Sequence, residues 1–247
     1  MSKFKVVIPS RYASERLPGK PLRDIAGKSM LQHVYERGCE SDAGQVIIAT
    51  DDERIQQAAE AFGADVCMTG DHHLSGTDRL AEVADEMEWS DDQVIVNLQG
   101  DEPMMPAGLI NQCASLLDDP LADVATLASP LANASDLGNP NIVKVITDAN
   151  DFALYFSRAS IPFSRSPETD MLASTTSLHH HGIYAYRTGI LRKIVVAPQT
   201  DIEKCERLEQ LRAMYLGMRI KVGQPAVRPG PGIDTEQDLE HAARLMR

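Results

Sequence analysis

Apolar residues along the first half of this chain alternate between two kinds of spacing. Short continuous runs, "VVIP" from Val6 to Pro9, "VIIA" from Val46 to Ala49, Val66 to Met68 and "VIVNL" from Val94 to Leu98, predict strands. Between them the apolar positions return every three or four residues and predict helices. The first runs from Met30 to Cys39 (Met30, Leu31, Val34 and Tyr35 on one face), the second from Arg54 to Phe62, the third from Asp78 to Met87 and the fourth from about Gly108 to Leu117. Strands that are apolar at every position are covered on both faces, which is the condition of a parallel sheet. Strand–helix repetition with right-handed crossovers then gives a doubly wound α/β fold.

The second half is more mixed. Val124 to Leu131, Val143 to Thr147, Ala153 to Phe156 and Ile183 to Tyr186 predict strands that form a β-rich extension. Ile202 to Leu216 reads as one amphipathic helix, and a last helix begins near Thr235, after the Pro/Gly-rich passage "QPAVRPGPGID". No repeat, charge block or low-complexity linker divides the chain, so residues 1–247 are expected to form a single domain.

In open α/β sheets, ligands bind beyond the carboxyl ends of the strands. The chemistry-bearing segments fall there. Arg11, Arg16, Lys20 and Arg23 crowd into thirteen residues after the first strand, where an even spread of the chain's 24 cations would place about one. Arginine forks and a lysine point charge suit phosphate oxygens; a solvated loop making surface ion pairs is the plainer reading. It is not a Walker A loop, since Lys20 is followed by Pro21. Asp101, in "GDEP" after the fourth strand, is placed to hold a hard cation such as Mg²⁺ or merely to start a turn. Asp234, in "PGIDTEQDLE", is a second carboxylate candidate or a helix-entry residue, with Thr235 and Asp238 at capping-box spacing. In "SGTDRL", Thr77 reads either as a plain N-cap or as part of a helix-terminal binding site. His179, His180 and His181 lie in a strand pattern that sends neighbours to opposite faces, so they do not form one metal site. Glu209 and Gln210 are polar positions on the 202–216 helix.

Composition narrows the function. A net charge of −12 at pH 7 excludes a broad nucleic-acid or membrane-surface footprint, so any anionic ligand is met by local positive charge. Four scattered cysteines without a CxxC pair predict free thiols in a reducing compartment. The absence of a signal-like h-region and of any run of about 18 apolar residues predicts a cytoplasmic protein without membrane insertion.

Together the segments resemble the 3-deoxy-manno-octulosonate (Kdo) cytidylyltransferases, from end to end and in the same order: "IPSRYASERLPGKPL", "ATDDERI", "SGTDRLAEV", "VIVNLQGDEP", "ALYFSRASIPF", "HHGIYAYR", "LEQLRAMYLG" and "GIDTEQDLE". The resemblance implies a nucleotide-diphospho-sugar transferase type of fold. It implies an enzyme that joins CTP to Kdo with Mg²⁺, releasing pyrophosphate and supplying lipopolysaccharide biosynthesis, and a homodimer. By position it implies that Arg11, Ser14, Arg16 and Lys20 grip the triphosphate, and that Ser75, Arg79 and Gln99 line the nucleotide. It further implies that Asp101 and Asp234 hold magnesium, and that His180, Tyr184, Glu209 and Gln210 face the sugar, with Gln99 near both substrates. Phe163 stands where the family often has Trp or Tyr, His181 where it has an apolar residue, and residues 164–178 match no part of the pattern.

Overall fold

A computed structural model describes residues 3–13, 17–73 and 75–246, so Ser14 and Arg16 lie outside the described residues. In chain order the strands are β1 (Lys5–Ser10), β2 (Asp24–Ile25), β3 (Lys28–Ser29), β4 (Gln45–Thr50), β5 (Asp65–Met68), β6 (Val94–Asn97), β7 (Val124–Pro130), β8 (Lys144–Thr147), β9 (Ala153–Ser157), β10 (Leu178–Arg187) and β11 (Ile220–Gly223). The helices are α1 (Met30–Cys39), α2 (Glu53–Ala61), α3 (Gly76–Glu86), α4 (Ala107–Ser115), α5 (Asp170–Thr176), α6 (Thr188–Val196), α7 (Asp201–Glu206), α8 (Gln210–Tyr215) and α9 (Glu236–Leu245).

The main sheet runs β11-β7-β10-β6-β1-β4-β5, with β8 on β10 and β9 on β8. β6, β1, β4 and β5 are parallel neighbours, as the continuous apolar runs require. β11 lies parallel to β7, while β10 runs antiparallel between β6 and β7. The fold is therefore a mostly parallel α/β sheet with an antiparallel extension. Val6, Ile8 and Val96 bury against one helical layer, and Val7, Ile47 and Ile95 against the other. A third apolar cluster joins Leu17, Ile25 and Met30 to Ile233, Leu239 and Ala242, fastening the segment after β1 to the start of α9. The Arg23–Glu236 ion pair at 2.5 Å and the hydrogen bond from Ile233 N to Asp101 O at 3.0 Å reinforce that junction.

Three expectations change. Residues 202–216 form two short helices, α7 and α8, because Arg207 adopts a left-handed backbone (φ 53°). The six-residue step from Ile202 to Leu208 is not a helical repeat; the break buries Leu208 and Leu211 while Ile202 and Tyr215 stay exposed. Ser75, not Thr77, caps α3, in a reciprocal capping box with Asp78. The strand predicted over 183–186 extends back to Leu178, with a bulge between His181 and Tyr184, so the histidines are sheet residues. The hairpin β2–β3, helices α5 and α6 and strand β11 are not among the expected elements. The capping box of Thr235 and Asp238 does open α9.

Candidate active site

The parallel strands β1 and β6 end side by side, and the segments leaving them meet at a cavity of about 410 Å³. Gly100 permits this approach: a Cβ there would stand 3.0 Å from the Pro9 carbonyl oxygen. Gly19 turns the loop after β1 with φ 64°, packed under the Tyr12 ring, whose face carries the Arg54 guanidinium at 3.4 Å. The turn delivers Lys20 to the cavity floor. Its Nζ donates to Asp101 Oδ2 at 2.8 Å and to Asp234 Oδ1 at 2.9 Å. Burial works to lower the Lys20 pKa, but Asp101 and then Asp234 outweigh it and hold the ammonium above its ordinary value. Arg11 lines the same cavity from the end of β1.

Two carboxylates that converge on one cation form a hard oxygen donor pair. No third His, Cys, Asp or Glu completes a cluster able to enclose a metal among the described residues. That arrangement suits Mg²⁺, which retains water and takes further oxygens from phosphates. Asp101 and Asp234 fit the ion; the Lys20 ammonium marks where their charge is directed.

A second cavity, of about 650 Å³, shares Gln99, Asp101 and Asp234 with the first. It holds His180, Tyr184, Glu209 and Gln210, all expected from the sequence, at its walls. His180 meets Thr126 Oγ1 at 3.1 Å and packs edge-on to Phe156, and burial pushes its pKa down to about 3, leaving a neutral imidazole. Its neighbours' rings, His179 and His181, lie 4.9 Å apart, and His179 also borders the larger cavity. Burial raises the Glu209 pKa more than hydrogen bonds from Ser75 and Thr77 lower it; Thr77 Oγ1 donates to Glu209 Oε2 at 2.8 Å. Burial likewise pushes the Tyr184 phenol well above its ordinary range. Gln99 Nε2 reaches Gly182 O at 3.4 Å, bridging the strand end to β10.

Ser75 and Arg79 stand apart from these cavities. Ser75 is taken up by the cap of α3 and lines a smaller recess of about 310 Å³ beside Glu209. Arg79 is fully buried, paired with Asp51 and donating to Thr69 Oγ1 at 2.5 Å, and lines neither cavity. It braces the segment between β5 and α3 against Asp51, the residue after β4.

Sequence reasoning missed Asn97, Glu102, Arg158 and Arg207, all at the wall of the larger cavity. Glu102 is half-buried with its Oε2 enclosed, and burial, then the charge of Asp101, pushes its carboxyl up to about 8. Arg158 is fixed by Nε donating to Glu206 O at 2.8 Å and Nη1 to Pro140 O at 3.0 Å. "SRASIPF" carried that arginine without isolating it, and an α-helical reading concealed Arg207.

Comparison with known proteins agrees with this architecture. The family model described as "Cytidylyltransferase" matches residues 5–220. A 3-deoxy-manno-octulosonate cytidylyltransferase 1 of Actinobacillus pleuropneumoniae serotype 5b (strain L20) is 50% identical over 247 residues, covering 98% of this chain and 99% of its own. A 3-deoxy-manno-octulosonate cytidylyltransferase of Idiomarina loihiensis is 50% identical, covering 98% of both chains. Among solved structures, a CMP:2-keto-3-deoxy-manno-octonic acid synthetase complexed with CTP superposes with a TM-score of 0.90 at 44% identity, covering 99% of this chain and 98% of that one. No helix among the described residues is long and apolar enough to cross a membrane. The chain belongs to the cytidylyltransferase family, among its 3-deoxy-manno-octulosonate cytidylyltransferases.

Proposed function

We propose that this enzyme transfers the cytidylyl group of CTP to Kdo, giving CMP-Kdo and pyrophosphate for lipopolysaccharide biosynthesis, as a single-domain, Mg²⁺-dependent, cytoplasmic homodimer. The observation that carries the reading is the junction of two cavities at Gln99, Asp101 and Asp234, one reached by the cationic loop and the other walled by hydrogen-bonding side chains. A reaction that joins a nucleotide to a sugar needs both substrates to meet at one charged seam.

In this reading the smaller cavity receives the triphosphate and the larger the sugar. The anomeric C2 hydroxyl oxygen of Kdo bonds to the α-phosphorus, the bond from that phosphorus to the bridging oxygen breaks in line, and the hydroxyl proton passes to solvent. Arg11 and Lys20, joined by Arg16 and Ser14 of the same loop, bind the phosphates and offset the charge that grows on departing pyrophosphate. Asp101 and Asp234 would hold Mg²⁺. When bound there, the ion supplies neutralisation at the α-phosphate and acidifies the attacking hydroxyl. Gln99 touches both substrates across the seam, while His180, Tyr184, Glu209 and Gln210 fix the sugar with its C2 hydroxyl toward it. Arg79, with Ser75, holds the segment that borders the nucleotide. A neutral His180 orients hydroxyls without carrying charge.

Pyrophosphate release measured with CTP, Mg²⁺ and a panel of ulosonic acids tests the proposal. Kdo is expected to give the highest kcat/KM; turnover with a sialic acid in place of Kdo would overturn the substrate assignment.

A further inference from the structure

Among the described residues, five buried polar atoms without a hydrogen-bond partner in the protein belong to the wall of the larger cavity: Asn97 Oδ1, Glu102 Oε2, Tyr184 Oη, Glu209 Oε1 and Gln210 Nε2. Unpartnered buried polar atoms are costly, and their concentration in one place marks a site that a ligand completes. Asn97 differs from the other four in where the fold puts it. It lies within β6, in the middle of the sheet, 2% exposed and in register with Tyr184 of β10 and Val7 of β1. Its strand neighbour on the same face, Ile95, and Val7 beside it belong to the apolar core.

Asparagine is depleted from strands, and packing alone would fill such a position with valine or isoleucine. The chain instead places Asn97 at the last position of β6, and Gln99 and Asp101 in the segment just past it line the same cavity. From the carboxylate expected to hold metal, the chain leads back inward toward Tyr184. An orphaned carboxamide oxygen accepts a hydrogen bond and donates none, so its partner carries an O–H or N–H group and is neither a carboxylate nor a phosphate oxygen.

We propose that Asn97 is a specificity-determining residue for the acceptor sugar, its side-chain oxygen accepting a hydrogen bond from one of the sugar's hydroxyl groups. This rests on reading the larger cavity as the sugar site. A buried group left unpaired penalises any acceptor lacking that hydroxyl, which is how such a site rejects near-identical sugars. Seated at the strand end beneath Gln99, the contact also fixes how deep the sugar enters before its C2 hydroxyl reaches the seam.

The test is pyrophosphate release with Kdo and a set of analogues each missing one hydroxyl other than that at C2, using the full-length enzyme and its Asn97→Leu variant. The wild type is expected to lose about ten-fold or more in kcat/KM on one analogue. For Asn97→Leu the penalty on that analogue falls to within two-fold of unity, while its penalties on the others and its KM for CTP stay at wild-type values. Should Asn97→Leu fail to fold, Asn97→Ser, whose shorter hydroxyl does not reach, gives the same ratio. Wild-type ratios for every analogue in a folded variant would overturn the contact, ordered water then being the partner of the carboxamide. A wild-type enzyme that releases no pyrophosphate with Kdo overturns the acceptor reading itself, a separate and recognisable failure.

Discussion

Lys20 and Asp234, 214 positions apart in the chain, meet at 2.9 Å. The apolar cluster of Leu17, Ile25 and Met30 with Ile233 and Leu239 makes that meeting possible, because it docks the loop after the first strand onto the last helix. Asp101 joins them from the end of the central strand at 2.8 Å from the same ammonium. Charge from three remote segments is thus brought to one point.

Removing one of the two carboxylates should disable chemistry more than folding. Asp101→Ala is expected to lower kcat by two or more orders of magnitude, as the removal of other transition-state charge stabilisers does. Asp234→Ala should behave alike, and EDTA should abolish wild-type turnover until Mg²⁺ is restored. Pyrophosphate release checks all three; an Asp101→Ala turnover within three-fold of wild type would remove it from the metal site.

Lys20 offsets part of the pair's charge when no divalent cation is present. The carboxylates are well exposed, with side-chain exposures of 39% and 50%, so the ion pairs contribute at most about 1 kcal/mol after solvent screening. Lys20→Met should then melt about 2–4 °C below wild type in the absence of metal. Added Mg²⁺ should raise the variant's Tm by more than it raises the wild type's, since the ion no longer has to displace the Lys20 ammonium from Asp101 and Asp234. Equal shifts in melts with and without Mg²⁺ would rule this out. In kinetics the same variant should raise the KM for CTP.

The histidines predict loss of stability in mild acid. Burial holds His180 down to about 3 and His181 down to about 4, from an ordinary 6.5. Between those values and 6.5 the unfolded chain binds more protons than the folded one. Their contribution is therefore fully present above about pH 6.5 and is lost as pH falls toward 4. Tm measured from pH 7.5 to 4.5 should decline, and His181→Gln, which removes one of the two groups, should flatten the slope. An unchanged slope would show that folding does not hold His181 below its ordinary pKa.

A buried ion pair holds the broken helix. Arg212 on α8 grips Glu203 on α7 through Nη2 at 2.5 Å and Nε at 2.9 Å, both side chains being almost fully enclosed. Replacing Arg212 by Met strands a buried carboxylate, at a cost of about 3–5 kcal/mol, or roughly 6–20 °C in Tm for a chain of this size. Glu209 is the N-cap of α8 and Gln210 its first residue, so the KM for the sugar should rise with it. Thermal melts and acceptor kinetics on the one variant check both effects.

How much of this was legible beforehand depends on the range of the interaction that decides it. The buried parallel strands and α1, predicted at its observed bounds, announce themselves through local apolar spacing. The strand-end rule then nominated Lys20, Asp101 and Gln99. Long-range packing was harder to read: the six-residue step from Ile202 to Leu208 departs from a helical repeat, but the Glu203–Arg212 pair and the left-handed Arg207 that make the break are not visible in it. Arg79 reads as a ligand-facing cation because nothing local says that Asp51 will bury it. Asn97 sits inside an otherwise apolar run, where a polar residue just ahead of Gln99 and Asp101 was a usable signal that the apolar count concealed.

Between β6 and β7, strand β10 runs against both neighbours. Its opening residues therefore arrive at the edge where every adjacent strand finishes, and His180 comes to stand across from the ends of β6 and β7. In the proposed reading the triphosphate meets the loops leaving β1 and β6, while the lead-in to β10 adds His180 to a sugar site that β6 and the α7–α8 break also line. Residues 178–182 can be recast while the pairing of Tyr184 through Arg187 with β6 keeps the scaffold in register. Such a division would let descendants of this fold exchange one partner molecule while retaining the machinery for the other.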